Sequence, residues 1–349
     1  MLIDSSTTGF CRVIVDGVQC FYLNDPLLIE TVLATRWPEF RKEFGYKKSR
    51  DFIQRDLFSP ATIWPDAKEF ARASSVISNI ITVRVQKARG KIDDLYAWCR
   101  SLTMEIFLRT ILAGSVEPSV SQNELENATM QAIEVLGKTI LRFPQNIDSV
   151  DDMDIRDHED LKQYSKLFRD DPQNSCATSG RAITTVLAGY EQMASIMFWL
   201  FVHCAERPMS CIPGVGSKHY LNEVIRLHSP IWTIMRRPKH DLIISECSLP
   251  RGCVVITSPW LMARKAHYFP NPEEFLPERW NGPIEPFAFF PFSRGPRACK
   301  GELFVRSALY ALLEQLKEVE SIVISGGAVK GHRIRVSATP VGHLAVNIR

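Results

Sequence analysis

Phe292-Ser293-Arg294-Gly295-Pro296-Arg297-Ala298-Cys299-Lys300-Gly301 is the stretch that orders the rest of the chain. It runs straight into GELFVRSALYALLEQLKEV, whose apolar residues recur at helical spacing. A cysteine at the mouth of a helix faces free backbone N–H groups and the positive end of the helix dipole. Both favour its thiolate, the form that binds iron. Gly295 and Gly301 allow a tight turn and a close approach of backbone to a flat ligand. Arg297, two residues before the sulfur, adds a fixed positive charge beside it. Phe292 can pack on the sulfur side and limit water there. A lone cysteine in this setting reads as one more buried thiol; the company Cys299 keeps argues otherwise.

Phe292, Gly295, Arg297, Cys299 and Gly301 resemble the haem loop of the cytochrome P450 family, Phe-x-x-Gly-x-Arg-x-Cys-x-Gly. Three upstream segments agree with the family's order. Leu221-Asn222-Glu223-Val224-Ile225-Arg226 is similar to its Glu-x-x-Arg helix, where residues three apart share a face. Pro277-Glu278-Arg279-Trp280 is similar to the meander whose arginine joins that pair, which implies a buried Glu223–Arg226–Arg279 network bracing the cysteine loop. Arg237, in Met235-Arg236-Arg237-Pro238, sits where the family places a propionate-binding arginine, with Arg236 as the alternative. Further upstream, Tyr46-Lys47-Lys48-Ser49-Arg50 resembles the family's Trp-x-x-x-Arg helix, with Arg50 as a further propionate partner and a plain basic surface as the competing reading.

Leu187-Ala188-Gly189-Tyr190-Glu191-Gln192 resembles the helix that crosses the oxygen side of the haem. Ala188 and Gly189 match the small pair that opens the helix, and Glu191 matches its acid. Gln192 stands where the family has threonine. An amide is a poorer proton relay than a hydroxyl, so two readings stay open. In one, Gln192 positions water, Glu191 supplies protons and dioxygen is activated. In the other, the chemistry is that of a peroxygenase, isomerase or cyclase. Glu191 could also be a charge on a wet helix face.

The surrounding pattern is mainly α with small β-sheets. Residues 10–24 read as a hairpin around Asp16-Gly17, and Asp25 with Pro26 opens a helix to about Thr35. Helical spacing covers residues 59–114, 180–206 and 219–228. Residues 229–290 read as short strands and ordered loop, and residues 321–349 as short strands split by Gly326-Gly327 and Pro340. The reading is a single truncated P450-like domain over residues 1–349. Trimming is expected before the first strand, between Thr35 and Arg50, between Gly114 and Ala188, and between Pro208 and Tyr220.

Lys and Arg number 42 against 39 Asp and Glu, a net charge of +3, and the signs are interspersed. That excludes an electrostatic case for nucleic acid. Nine scattered cysteines without a C-x-x-C pair indicate neither a disulfide framework nor a zinc ribbon, and point to a reducing compartment. No basic segment followed by an apolar run opens the chain, and the most apolar stretch, residues 194–205, is shorter than the ~20 residues of a membrane span. A cytoplasmic protein without an integral span is expected.

The resemblance implies haem b held by Cys299, a small apolar substrate and a separate electron-donating reductase. The wording of residues 188–192, 257–280 and 289–304 looks most like the family's secondary-metabolite and terpenoid oxygenases. The trimmed segments keep open a haem-poor member that binds a ligand or partner without catalysis.

Overall fold

A computed structural model describes residues 9–15, 17–42, 67–140, 159–169 and 179–349. Its helices are α1 (Pro26–Glu30), α2 (Ala67–Lys87), α3 (Leu95–Arg109), α4 (Gln122–Ile140), α5 (Glu159–Ser165), α6 (Ser179–Glu206), α7 (Ser217–Leu227), α8 (Pro259–Met262) and α9 (Glu302–Lys317). Strands β1 (Phe10–Val15), β2 (Val18–Leu23), β8 (Val254–Thr257), β5 (Ile234–Pro238) and β3 (Phe40–Arg41) lie side by side in that order. Strands β4 (Gly90–Ile92), β10 (Ala338–Ile348) and β9 (Ile322–Ile334) form a second sheet, and β6 (Leu242–Ile244) pairs with β7 (Cys247–Leu249). The expected class, mainly helical with small sheets, is the one observed.

Local chemistry accounts for the element ends. Asp25 caps α1 by accepting from the amides of Leu27 at 2.9 Å and Leu28 at 3.1 Å, and Pro26 occupies the first turn, where no amide is needed. The chain then continues as one wider turn through Thr35. Asp94 caps α3 through the Ala97 amide at 3.0 Å. The helical stretch read over residues 59–114 is interrupted at β4, which is too short to show as a strand period and exists because β10 pairs with it.

Helix α6 is the axis of the fold. Its residues from Ala182 to Cys204 are nearly all buried, and α2, α3, α7 and α9 share its hydrophobic cluster. Each large apolar side chain so buried contributes roughly 1.5–3 kcal/mol. It ends where Pro208 disfavours helix in Arg207. This is the one helix among the described residues long and apolar enough to cross a membrane, and 78% of its apolar window is buried inside the fold, as a core helix would be. A second cluster lies under the five-stranded sheet and contains Phe21, Ile29, Phe40, Val255 and Phe290.

Two of the places where trimming is expected include described residues. Between Pro208 and α7 there is a single short turn, Met209–Cys211. Between Gly114 and α6 the described residues include helices α4 and α5. The C-terminal reading needs correction: β9 and β10 are two long strands of one hairpin, not short strands. Gly327 does not split β9. It adopts φ +81°, and a Cβ there would strike the His343 carbonyl oxygen of the partner strand. Pro340 and Ala345 mark bulges at which the pairing shifts and resumes. The eight described cysteines carry no disulfide, and five of them are buried thiols.

Candidate active site

The cysteine loop folds as a turn closed by its own backbone. The Cys299 amide donates to the Phe292 carbonyl at 2.8 Å and the Ala298 amide to the Gly295 carbonyl at 3.0 Å. Gly295 adopts φ +75°, and a Cβ there would lie 2.2 Å from the Leu33 carbonyl oxygen. Its close approach is therefore to the turn after α1 rather than to a ligand, as the sequence had suggested. Gly301 precedes α9 and leaves room beside the sulfur, since a Cβ there would stand 3.8 Å from Cys299 Sγ.

The network expected beneath this loop is present. Arg226 donates to both Glu223 oxygens at 2.8 and 2.9 Å, and neither side chain is exposed at all. Arg279 donates to Glu223 Oε1 at 3.0 Å. The Trp280 indole and the Leu276 amide, both at 2.9 Å, complete the acceptor's shell. Remaining Arg226 donors reach the carbonyls of Ala263, Pro272 and Glu274. Every charge taken out of water here is hydrogen-bonded, the condition under which a buried ion pair is tolerated.

Cys299 opens on a cavity of about 410 Å³. One wall is the face of α6 made by Thr185, Ala188, Gly189, Gln192, Met193 and Ile196, residues three and four apart. Phe107, Ile111, Ile231, Trp232, Ile234 and Val336 line it further, with Phe292 beside the loop. Helix α6 stays regular through Gly189, so the small pair does not open it. The missing side chain instead admits Phe107, whose ring would lie 3.2 Å from a Cβ there.

Gln192 faces the cavity, and its Oε1 is buried without a hydrogen-bond partner. Glu191 does not line the cavity. It is 5% exposed, turned to the β9–β10 hairpin, and accepts from the Ser337 hydroxyl. Burial raises its carboxyl above the ordinary range, against the Ser337 hydrogen bond and the nearby Arg335, Arg100 and Arg333. The wet-face alternative is excluded by the same burial.

Cations gather at the cavity. Arg297 lines it, with its Nε buried and unpartnered and its guanidinium over the Trp37 ring at 5.4 Å. Of the two arginines of β5, Arg236 is among the residues that line the cavity and Arg237 is not. Arg237 donates to the Gly252 carbonyl at 2.6 Å. The sequence left both arginines open as propionate partners, and the structure puts Arg236 on the cavity. Arg50 lies outside the described residues.

Lys42 is a cavity residue that no motif indicates. It arrives because β3 pairs with β5, Arg41 opposite Arg237. Burial and the charges of Arg236, Arg297 and Lys300 push its ammonium down to about 7, against the attraction of Cys299. The Cys299 thiol also departs from the sequence reading. Burial raises its pKa, and the Gly301 and Glu302 amides with Lys42 only oppose that rise. Helix-end stabilisation is present and loses to desolvation, so a bound metal would have to complete the deprotonation.

The model of the cytochrome P450 family matches residues 218–317, which contain the Glu223–Arg226 pair, Arg279 and Cys299. Over that stretch the chain is similar to the cytochrome P450 family. Among curated relatives, cytochrome P450 6B1 of Papilio polyxenes is 28% identical over 273 residues, 68% of this chain and 54% of that protein. Rat cytochrome P450 3A1 is 27% identical over 232 residues, 57% of this chain and 46% of that protein. The chain thus spans about half the length of these P450 relatives. CYP175A1 from Thermus thermophilus shares the fold with a TM-score of 0.75 at 19% identity, over 98% of this chain and 92% of that one. Cyanobacterial CYP120A1, solved with retinoic acid, gives 0.74 at 15%, over 98% and 91%. The cofactor of a P450 is haem with its iron on a cysteine thiolate. The cavity fits it: Cys299 lines the space, and Arg297, with an unpartnered Nε, stands with Arg236 and Lys42 where two carboxylates would be neutralised.

Proposed function

We propose that this chain is a haem-thiolate monooxygenase that oxidises an apolar natural-product intermediate with dioxygen and electrons from a separate reductase. The observation that carries the proposal is the position of Cys299, which opens into a cavity walled by apolar side chains and edged by the basic side chains of Lys42, Arg236, Arg297 and Lys300. Cys299 would hold the iron of a bound haem, and Arg297, Arg236 and Lys42 would hold its propionates. Bound haem supplies the electron-rich iron that cleaves the O–O bond.

The protein's own groups do the rest. Phe107, Met193, Ile196, Ile231 and Val336 exclude water and receive an apolar molecule. Gln192 offers the amide that orients a water or a substrate polar group at the α6 face, in place of the family's threonine. Glu191, held by Ser337 behind that face, positions the hairpin against α6. The role of proton donor passes to solvent held at Gln192. The apolar lining supports a terpenoid-like substrate over a charged one.

The test is the reduced carbon-monoxide difference spectrum of the purified, haem-loaded chain. A red-shifted Soret band that Cys299→Ala removes is the expected result; a spectrum unchanged by that substitution refutes the assignment. Turnover with peroxide but never with a reductase would replace monooxygenase by peroxygenase, whereas a rise in reductase-driven turnover in Gln192→Thr would support the monooxygenase.

A further inference from the structure

Three histidines from three elements stand in one line away from Cys299. His203 comes from α6, His228 caps the C-terminus of α7, and His332 lies on β9. His203 Nε2 is 2.8 Å from His228 Nε2, and His228 Nδ1 is 3.1 Å from His332 Nε2. The ring centroids are 5.0 and 5.2 Å apart, about the nitrogen gap plus two ring radii, so the nitrogens meet head-on. Lone pairs that point at one another do not converge on a shared ion, and among the described residues no trio of ligating groups does so. Trp199 stacks on His228 at 3.8 Å and Phe275 on His203 at 4.0 Å, which fixes the rings.

Hydrogen counting decides what this line can do. A neutral imidazole carries one N–H, and His228 is engaged at both nitrogens, so the three rings share one direction of donation. Each of the two gaps holds one hydrogen, and each outer Nδ1 can hold another. The line therefore accepts one extra proton with its hydrogen bonds intact. A second proton sets two N–H groups against each other across a gap.

The surroundings resist charging. Glu206 of α6 is 4.0 Å from His203 Nδ1, and Glu223 also favours a charged His203. Arg264, after α8, and Arg226, on α7, oppose charge on His228, and Arg264 opposes it on His332. Glu273 is occupied with Arg264 at 3.2 Å. The parts of β9 and β10 that line the adjoining cavity, Gly327 to Val329, Gly331 and Leu344, are uncharged. Burial holds His203 and His332 each at about 4.

We propose that His203, His228 and His332 form an acid-opened latch that ties the β9–β10 hairpin to α6 and α7 while neutral and releases it on taking up a second proton. Release would carry Ser337 from Glu191 and Val336 from the cavity wall, coupling acidification to the site. The latch does not depend on what fills that cavity.

Hydrogen–deuterium exchange of the full chain, corrected for the chemical pH dependence of exchange, tests it. Opening of residues 322–348 should rise by up to about 100-fold per pH unit below pH ~6, two protons per event, while α9 keeps its protection. His332→Phe should abolish the two-proton dependence of the hairpin's opening. The proposal is overturned if hairpin and α9 lose protection together, or if the same steep dependence persists in His332→Phe. Should that variant not fold, imidazole NMR of the unmodified protein decides: the rings should remain neutral at pH 6.5, and any one titrating alone near that value sinks the latch.

Discussion

Arg226 grips Glu223 through two nitrogens, and the pair has no contact with water. Its partners come from the meander between α8 and the cysteine loop, so the pair fixes a segment that has little secondary structure of its own.

Glu223→Ala should therefore destabilise the chain by about 3–5 kcal/mol, because it leaves the Arg226 guanidinium buried and unpaired. Urea unfolding of the purified variant measures this. A loss under about 1 kcal/mol would mean that water reaches the site and the network is not what braces the loop.

Gly295→Ala puts a methyl group against the Leu33 carbonyl oxygen and asks alanine to hold φ +75°. The loop must shift as a body, so a loss of about 2–4 kcal/mol with displacement of Cys299 is expected. Gly17, also at positive φ, has open space around it, and Gly17→Ala is the control that isolates the clash. Thermal unfolding of the two side by side should show the larger loss at Gly295.

Arg236 and Arg237 are neighbours with opposite assignments. Arg236→Ala should speed haem loss about 10–100-fold, the worth of a charge-assisted hydrogen bond to a carboxylate. Arg237→Ala should lower stability, by orphaning the Gly252 carbonyl, with less effect on haem retention. The rate of haem transfer to a scavenging apoprotein distinguishes them, and equal rates would return Arg237 to the site.

Glu191 predicts a pH dependence of definite sign. Its carboxyl pKa is raised on folding, chiefly by burial, so the folded state binds the proton more tightly than the unfolded one. Its contribution is most favourable below the unfolded carboxylate value and declines as pH rises through the folded one. Glu191→Gln keeps an acceptor for Ser337 and removes the charge. The stability difference between variant and parent should therefore favour the variant more at pH 7.5 than at pH 4.5. A difference that is flat in pH would show that the buried carboxyl does not titrate.

The sequence by itself determined the parts whose chemistry is local. The cysteine turn, the Glu223–Arg226 spacing, the Asp25 cap and the apolar run of α6 each sit within a few residues, where backbone geometry and period decide the outcome. Only the tertiary structure decided which neighbour of a strand pair faces the cavity, that Glu191 meets Ser337, that Lys42 joins the cations through the β3–β5 pairing, and that three distant histidines align. Those facts depend on which elements pack together, and contacts between residues far apart in the chain leave no period or spacing in the sequence.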